Sequence, residues 1–207
     1  MQSGKYIVIE GNDGTGKSTQ VELLARYLAD RGEKVMTIHE PAGTAMADAI
    51  RTVIKNGSIP RDGLTNLLLF TASRHDIWQE ASQKLRDGWY VLSARNYIST
   101  LAYQGAGEGI DGVLIRQLTE QFTDERYMKT DATIVLTTDS AHRRQRIAQR
   151  GSLDKPDTFE ARSDDFQTRV NRAYRTIAAE SHYPLIDASQ SIEAVQKDVR
   201  DALGLDN

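Results

Sequence analysis

Cysteine is absent from the 207 residues, which excludes disulfides, thiolate metal ligands and a cysteine nucleophile and suits a reducing compartment. No apolar run approaches the roughly 20 residues that a membrane span needs. Met1 leads towards a first apolar strand without the charged and apolar regions of a secretory leader, so a soluble, cytoplasmic protein with no membrane partner is expected. Excess positive charge is missing too. The 26 Lys and Arg stand against 29 Asp and Glu, a net charge of −3, and the broad basic footprint of a duplex nucleic-acid binder is therefore not implied. Any anion has to be held by a local cluster. Internal repeats, low-complexity tracts and Pro/Gly-rich linkers are also lacking, so residues 1–207 read as a single α/β domain large enough to bury a core.

What is present is concentrated near the start of the chain. Gly11-Asn12-Asp13-Gly14-Thr15-Gly16-Lys17-Ser18 is a complete GxxxxGK[ST] phosphate loop. It follows the apolar run Tyr6-Ile7-Val8-Ile9, read as a buried strand, and precedes residues 20–30, where apolar residues recur at helical spacing. Glycines let the backbone turn tightly and bring its N–H groups to phosphate oxygens, and the new helix adds its positive end. Lys17 is expected to reach the β- and γ-phosphates and Ser18 to offer its hydroxyl to Mg²⁺, with Thr19 next along the cradle. A glycine-rich turn without a ligand would not need eight positions in register with both flanking elements.

Further along, Lys34 to His39 reads as a second strand, and the βαβ unit it completes implies a parallel sheet. Glu40-Pro41-Ala42-Gly43-Thr44 stands at its carboxyl end, where open α/β sheets bind ligands. Helices follow from Ala45 to about Lys55 and from Asn66 to Leu85; in the second, Phe70 and Arg74 are four apart and share a face. Trp89 to Leu92, Asp131 to Leu136 and Tyr183 to Asp187 read as the remaining strands, with Arg95 at the carboxyl end of the first of them. His142 to Gly151 is a basic helix running into a polar segment before another helix from about Ser163. Such an arginine run is ordinarily a solvated face. Beside a phosphate loop it can instead serve as a lid that delivers positive charge and excludes water.

With these residues laid out, the chain resembles the bacterial-type thymidylate kinases over nearly its whole length. Glu40 to Thr44 resembles that family's EPGGT, Phe70 to Arg74 its FxAxR, Ser99 to Gly105 its S-[ST]-x-AYQG, and Arg150 to Asp154 its lid RGxLD, with about three extra residues after Asp154. The resemblance implies a three-layer, doubly wound five-stranded parallel sheet in the order 2-3-1-4-5, with a short lid at about 143–160, and a homodimer joined through helices. It implies transfer of the γ-phosphoryl group of ATP to dTMP, with Mg²⁺. Arg51 and Arg95 match positions that hold the acceptor phosphate, where a planar fork can bind two oxygens. Phe70 matches the residue stacked on the base, Arg74 a donor to a base carbonyl, Thr100 and Gln104 pyrimidine-reading positions, and Tyr103 one near the sugar; Glu40 and Pro41 belong to the same substrate pocket. Asp13 matches a carboxylate facing the acceptor's sugar and phosphate. Arg51 could instead be a solvated residue of an amphipathic helix, and Phe70 alone would more often be core, a preference that its pairing with Arg74 reverses.

Two departures shape the expectations. Gly14 occupies a loop position that is arginine in some relatives, so Arg146 and Arg150, with Lys155 as a weaker candidate, are expected to supply charge in the transition state. Ala94 stands where the family usually has aspartate in a DR[YH] motif, and Thr137 offers no carboxylate in its place. The metal is then expected to lean on Ser18, nucleotide phosphates, water and Asp13. Two alternatives stay open: a kinase for another or C5-modified deoxypyrimidine monophosphate, and a nucleotide-binding protein with little turnover because of Ala94.

Overall fold

Lys5–Gly11 forms β1, and every residue of it from Tyr6 onward is buried, as a strand with neighbours on both edges and helices on both faces requires. The computed structural model describes residues 4–149, 159 and 162–206. β1 pairs in parallel with β3 (Tyr90–Ala94) on one side and β4 (Ala132–Thr137) on the other. β2 (Val35–His39) lies beyond β3 and β5 (Leu185–Asp187) beyond β4, so the order is β2-β3-β1-β4-β5, as the resemblance implied. The register sets Ile9 beside Ala94 and Gly11 beside Leu136, which gathers the strands' carboxyl ends along one edge.

Period-two alternation along β1 builds the layers. Tyr6 and Val8 point into one core, shared with α3 (Gly63–Arg86) and α8 (Asp164–Glu180); Ile7 and Ile9 point into the other, shared with α1 (Lys17–Ala29) and α9 (Ile192–Ala202). Short polar side chains start the helices by accepting from otherwise orphaned N–H groups. Thr44 caps α2 (Ala45–Lys55) through Ala47 N at 3.0 Å, Asp62 caps α3 through Thr65 N at 2.7 Å, and Asn96 caps α4 (Tyr97–Thr100) through Ile98 N at 2.8 Å. α4 runs directly into a π-helical stretch, Leu101–Gly107. Then come α5 (Gly112–Phe122), the short α6 (Glu125–Met128) and, after β4, α7 (Ser140–Gln149).

The strands expected from sequence lie within a residue or two of those observed. The π-helical stretch and helices α5 and α9 were not read from sequence. α5 buries only Ile115 and Thr119 and leaves Val113, Leu114 and Phe122 exposed, and α9 has three apolar residues larger than alanine with Ile192 exposed, so in each the buried stripe is narrow. Among the described residues no helix is long and apolar enough to cross a membrane.

Candidate active site

The phosphate loop hangs between β1 and α1 on a backbone that only glycine tolerates at key points. A Cβ on Gly11, at φ 140°, would lie 2.3 Å from the Leu136 carbonyl oxygen. α1 begins after Gly16, which is left-handed, and no side chain caps it, so its first N–H groups are available to an anion. The Asn12 carbonyl inside the loop accepts from Thr15 Oγ1 at 2.9 Å and from Lys17 Nζ at 2.8 Å, which lays the buried lysine across the loop mouth. The Asn12 side chain ties the loop to a distant helix: Nδ2 donates to Asn171 at 3.0 Å and to Gln167 at 3.3 Å, both on α8.

Beside the loop opens a cavity of about 250 Å³ whose lining includes Asp13, Gly14, Lys17, Ser18, Arg95 and Tyr103. Arg95 sits at φ 82°, a left-handed conformation that is costly for a residue with a Cβ. Glu10 holds it there. This carboxylate, fully buried at the end of β1, accepts from Asn96 N at 2.7 Å, Ser99 N at 3.0 Å, Ser99 Oγ at 2.7 Å and Tyr174 OH at 3.1 Å, and so clamps the turn that follows Arg95. The Arg95 guanidinium donates to Ser99 Oγ at 3.0 Å and is paired with Asp13. Burial pushes the Asp13 carboxyl up, but Arg95, Lys17 and the Tyr103 hydroxyl at 2.7 Å outweigh it and bring the pKa down to about 2, so Asp13 is an anion at neutral pH.

The far end of the cavity is organised by Arg74, which is buried on α3. Its Nε donates to Glu40 Oε2 at 3.0 Å and to Tyr127 OH at 2.7 Å, and Nη2 donates to Thr100 Oγ1 at 2.9 Å, while Nη1 is buried without a partner. A guanidinium fixed on three sides with one donor left over suits a ligand carbonyl at the fourth. Glu40 commits both oxygens to Arg74 and Tyr127, at 3.0 and 2.6 Å, so it acts on this pocket by fixing Arg74. Burial raises its pKa against the pull of Arg74. Phe70 is half-buried, with its ring 5.9 Å from that of Phe159, and both line the cavity together with Pro41, Arg51, Thr100 and Gln104. Gln104 donates to Glu108 Oε2 at 3.1 Å, which fixes its amide.

Of the residues expected from sequence, Asp13, Gly14, Lys17, Ser18, Glu40, Pro41, Arg51, Phe70, Arg74, Arg95, Thr100, Tyr103 and Gln104 meet around this one cavity. Gly11, Asn12, Thr15 and Gly16 form the loop beneath it, and Thr19 is exposed on the first turn of α1. Arg146 is half-buried on α7, makes no ion pair among the described residues and does not line the cavity. Arg150, Lys155 and most of the expected lid lie outside the described residues. Sequence reasoning gave no role to Glu10, Ser99, Phe159 or Tyr174. A lone carboxylate ending an apolar strand was the available signal for Glu10, and Ser99 opens the S-[ST]-x-AYQG stretch; Phe159 and Tyr174 carry none.

Among the described residues no group of three His, Asp or Glu could cage a metal. The donors present fit Mg²⁺ nonetheless, because that ion keeps several waters and takes nucleotide phosphates in place of an all-protein cage. Ser18 lines the cavity and its hydroxyl makes no hydrogen bond to the described residues, Asp13 is anionic nearby, and Ala94 contributes only a methyl group.

A phosphate loop at the carboxyl edge of a 2-3-1-4-5 parallel sheet, opening onto a cavity lined by Arg74 and Arg95 as well as Lys17, defines a P-loop phosphotransferase. Residues 9–199 match the family model described as thymidylate kinase. The chain belongs to the thymidylate kinase family. It is 37% identical to a thymidylate kinase from Ectopseudomonas mendocina, an alignment covering 97% of this chain and 95% of that one. It is 34% identical to a thymidylate kinase from Exiguobacterium sibiricum, over 95% and 92% of the two chains. Among solved structures, the thymidylate kinase from Ehrlichia chaffeensis superposes with a TM-score of 0.78 at 28% identity, covering 98% of this chain and 99% of that one.

Proposed function

We propose that this protein transfers the γ-phosphoryl group of ATP to dTMP, giving ADP and dTDP, as a single P-loop domain over residues 1–207 with a lid at about 143–160. The observation that carries the reading is the meeting of two sites of different chemistry around one cavity, an uncapped helix start with Lys17 and a base-and-phosphate pocket with Arg74 and Arg95. The donor triphosphate and the acceptor monophosphate repel each other unless cations stand between them in a site of reduced dielectric. Lys17 and the loop N–H groups hold the donor phosphates, and Arg95, with Arg51, holds the acceptor phosphate. Arg74 donates to a base carbonyl, Phe70 stacks on the ring, and Thr100 and Gln104 complete the pyrimidine's polar edge. Asp13 and Tyr103 face the acceptor's sugar and phosphate and keep Arg95 aimed. Arg146 and Arg150 add positive charge from the lid. Ser18, with water and phosphate oxygens, would hold Mg²⁺, which would supply charge neutralisation on the triphosphate. The protein supplies no nucleophile, because positioning and electrostatics suffice for this transfer.

The same reading includes a cytoplasmic homodimer. Met46, at 59% exposure, and Val53 lie on one face of α2, and Leu64 and Leu68, the latter at 52%, on one face of α3, which packs against α2. These apolar side chains are suited to burial against a second copy. The test of the reading is ADP formation measured across the deoxynucleoside monophosphates with ATP and Mg²⁺. Turnover with dTMP well above dUMP, dCMP and the purines is expected; preference for another pyrimidine would give the acceptor role to that nucleotide, and ATP consumption indifferent to any acceptor would refute a kinase.

A further inference from the structure

Within the basic stretch His142 to Gly151 the sequence pointed to Arg146 and Arg150, and Arg143 was given no role. In the basic stretch of α7 its neighbours His142 and Arg144 are exposed, and Arg146 is half-buried, but Arg143 is only 4% exposed. It lies against the phosphate loop: a Cβ built on Gly14 would meet Arg143 Cγ and the Arg143 carbonyl oxygen at 3.1 Å each. A larger side chain at position 14 therefore finds its space already taken by this arginine. Its Nη1 donates to Gln167 Oε1 at 3.2 Å, an acceptor shared with Asn12 of the loop, and its Nε is buried with no partner. No carboxylate among the described residues forms an ion pair with it; Asp13, whose carboxylate its charge helps to keep ionised, is paired with Arg95 instead.

A permanently charged guanidinium buried with one neutral acceptor and an idle donor is costly in the nucleotide-free protein, and the cost is relieved by an anion. The anion that the reaction brings to this loop is the triphosphate. We infer that Arg143 contacts the transferring phosphoryl group and serves as the phosphate loop's resident arginine. It supplies from α7 the cation that Gly14 omits, and α8 aims it through Gln167. This rests on the phosphoryl-transfer reading above. In that transfer the bond from the γ-phosphorus to the β–γ bridging oxygen breaks and one from an acceptor phosphate oxygen forms. Arg143 neither gives nor takes a proton.

The competing role is a brace between loop and helix, and Arg143→Met separates the two because it keeps the aliphatic packing on Gly14 and removes the charge. Three measurements are made: melting temperature without nucleotide, calorimetric affinity for MgADP alone and for MgADP with aluminium fluoride and dTMP, and the split between kcat and KM. The expected result is a nucleotide-free melting temperature no lower than that of the native protein and MgADP affinity within about threefold. Affinity for the fluoride complex and kcat should both fall by at least about 100-fold, with KM for dTMP little changed. Arg143→Lys, which keeps a charge but not the fork, should lose most of the rate while melting like the native protein. A lower melting temperature with kcat and fluoride-complex affinity intact would overturn the inference in favour of a brace, as would equal weakening of both ADP complexes. Failure of the underlying reading shows separately, as absence of dTMP-dependent ADP formation in the native protein.

Discussion

Arg74 is the residue whose removal should report most sharply on the acceptor pocket, because the proposed donor to the base is also half of a buried ion pair with Glu40. Arg74→Ala should weaken dTMP by about 1.5–3 kcal/mol, the worth of a charged hydrogen bond to a buried acceptor, and leave KM for ATP nearly unchanged. It should also lower the melting temperature, since Glu40 would keep only Tyr127 as a partner. Steady-state kinetics with each substrate varied, alongside a thermal melt, would check both; equal weakening of ATP and dTMP would make Arg74 a structural residue. Ala94 raises a different question. It lines the same cavity as Ser18 and Asp13. Ala94→Asp should therefore lower the Mg²⁺ concentration needed for half-maximal rate or raise kcat, as read from Mg²⁺ titrations of both proteins at saturating nucleotides; a slower variant needing more Mg²⁺ would show a site built around the alanine.

Asp13 gives a pH prediction at the same scale. Its pKa is near 2 in the folded protein against an ordinary 3.8, so the folded state favours the anion. The stabilisation is fully present above the unfolded value and is lost as pH falls from about 4 towards 2, by on the order of 2 kcal/mol. Asp13→Asn should remove that portion of the acid sensitivity. Urea unfolding of both proteins at neutral pH and at about pH 3 measures it, and an unchanged difference between the two pH values would count against the Arg95–Asp13 pair.

Among the elements, the turn from β3 into α4 does most to shape the site. Its strained Arg95 is held by hydrogen bonds from the following backbone to Glu10, and Ser99 lies between that carboxylate and the guanidinium, 2.7 Å from one and 3.0 Å from the other. Ser99→Ala should leave the fold intact and raise KM for dTMP several-fold with a parallel fall in kcat, because Arg95 loses its aim while Glu10 keeps its backbone donors. A circular-dichroism melt within a few degrees of native, together with the kinetics, checks this; unchanged kinetics would mean that Asp13 alone aims Arg95. The π-helical stretch after α4 sets the spacing of the same wall. Thr100, Tyr103 and Gln104, spaced i, i+3 and i+4, all face the cavity.

At the scale of the molecule, two cores on opposite faces of one sheet leave the carboxyl edge free for ligands, and the apolar faces of α2 and α3 look outward. If those faces pair, sedimentation at micromolar concentration should give a dimer mass, and Leu68→Glu should give monomers, since a charge at a buried interface centre is not tolerated. A monomeric native protein would refute the pairing.

Much of this architecture follows from short-range pattern. The phosphate loop and its flanks, the strand repeats, the order of helices and strands, and the helix face shared by Phe70 and Arg74 all depend on residues within a turn or two of one another. The residue types and spacings also carried the resemblance that gave the strand order. What only the tertiary structure decided are meetings between groups far apart in the chain. Glu10 gathers Ser99 and Tyr174, Arg143 fills the space above Gly14, Gln167 bridges the loop to α7, and Phe159 closes on Phe70. Arg143 and Arg146 illustrate the reason. In sequence they are two arginines of one basic helix, and which of them turns inward depends on how α7 packs against the loop and α8, a long-range choice that no local period encodes.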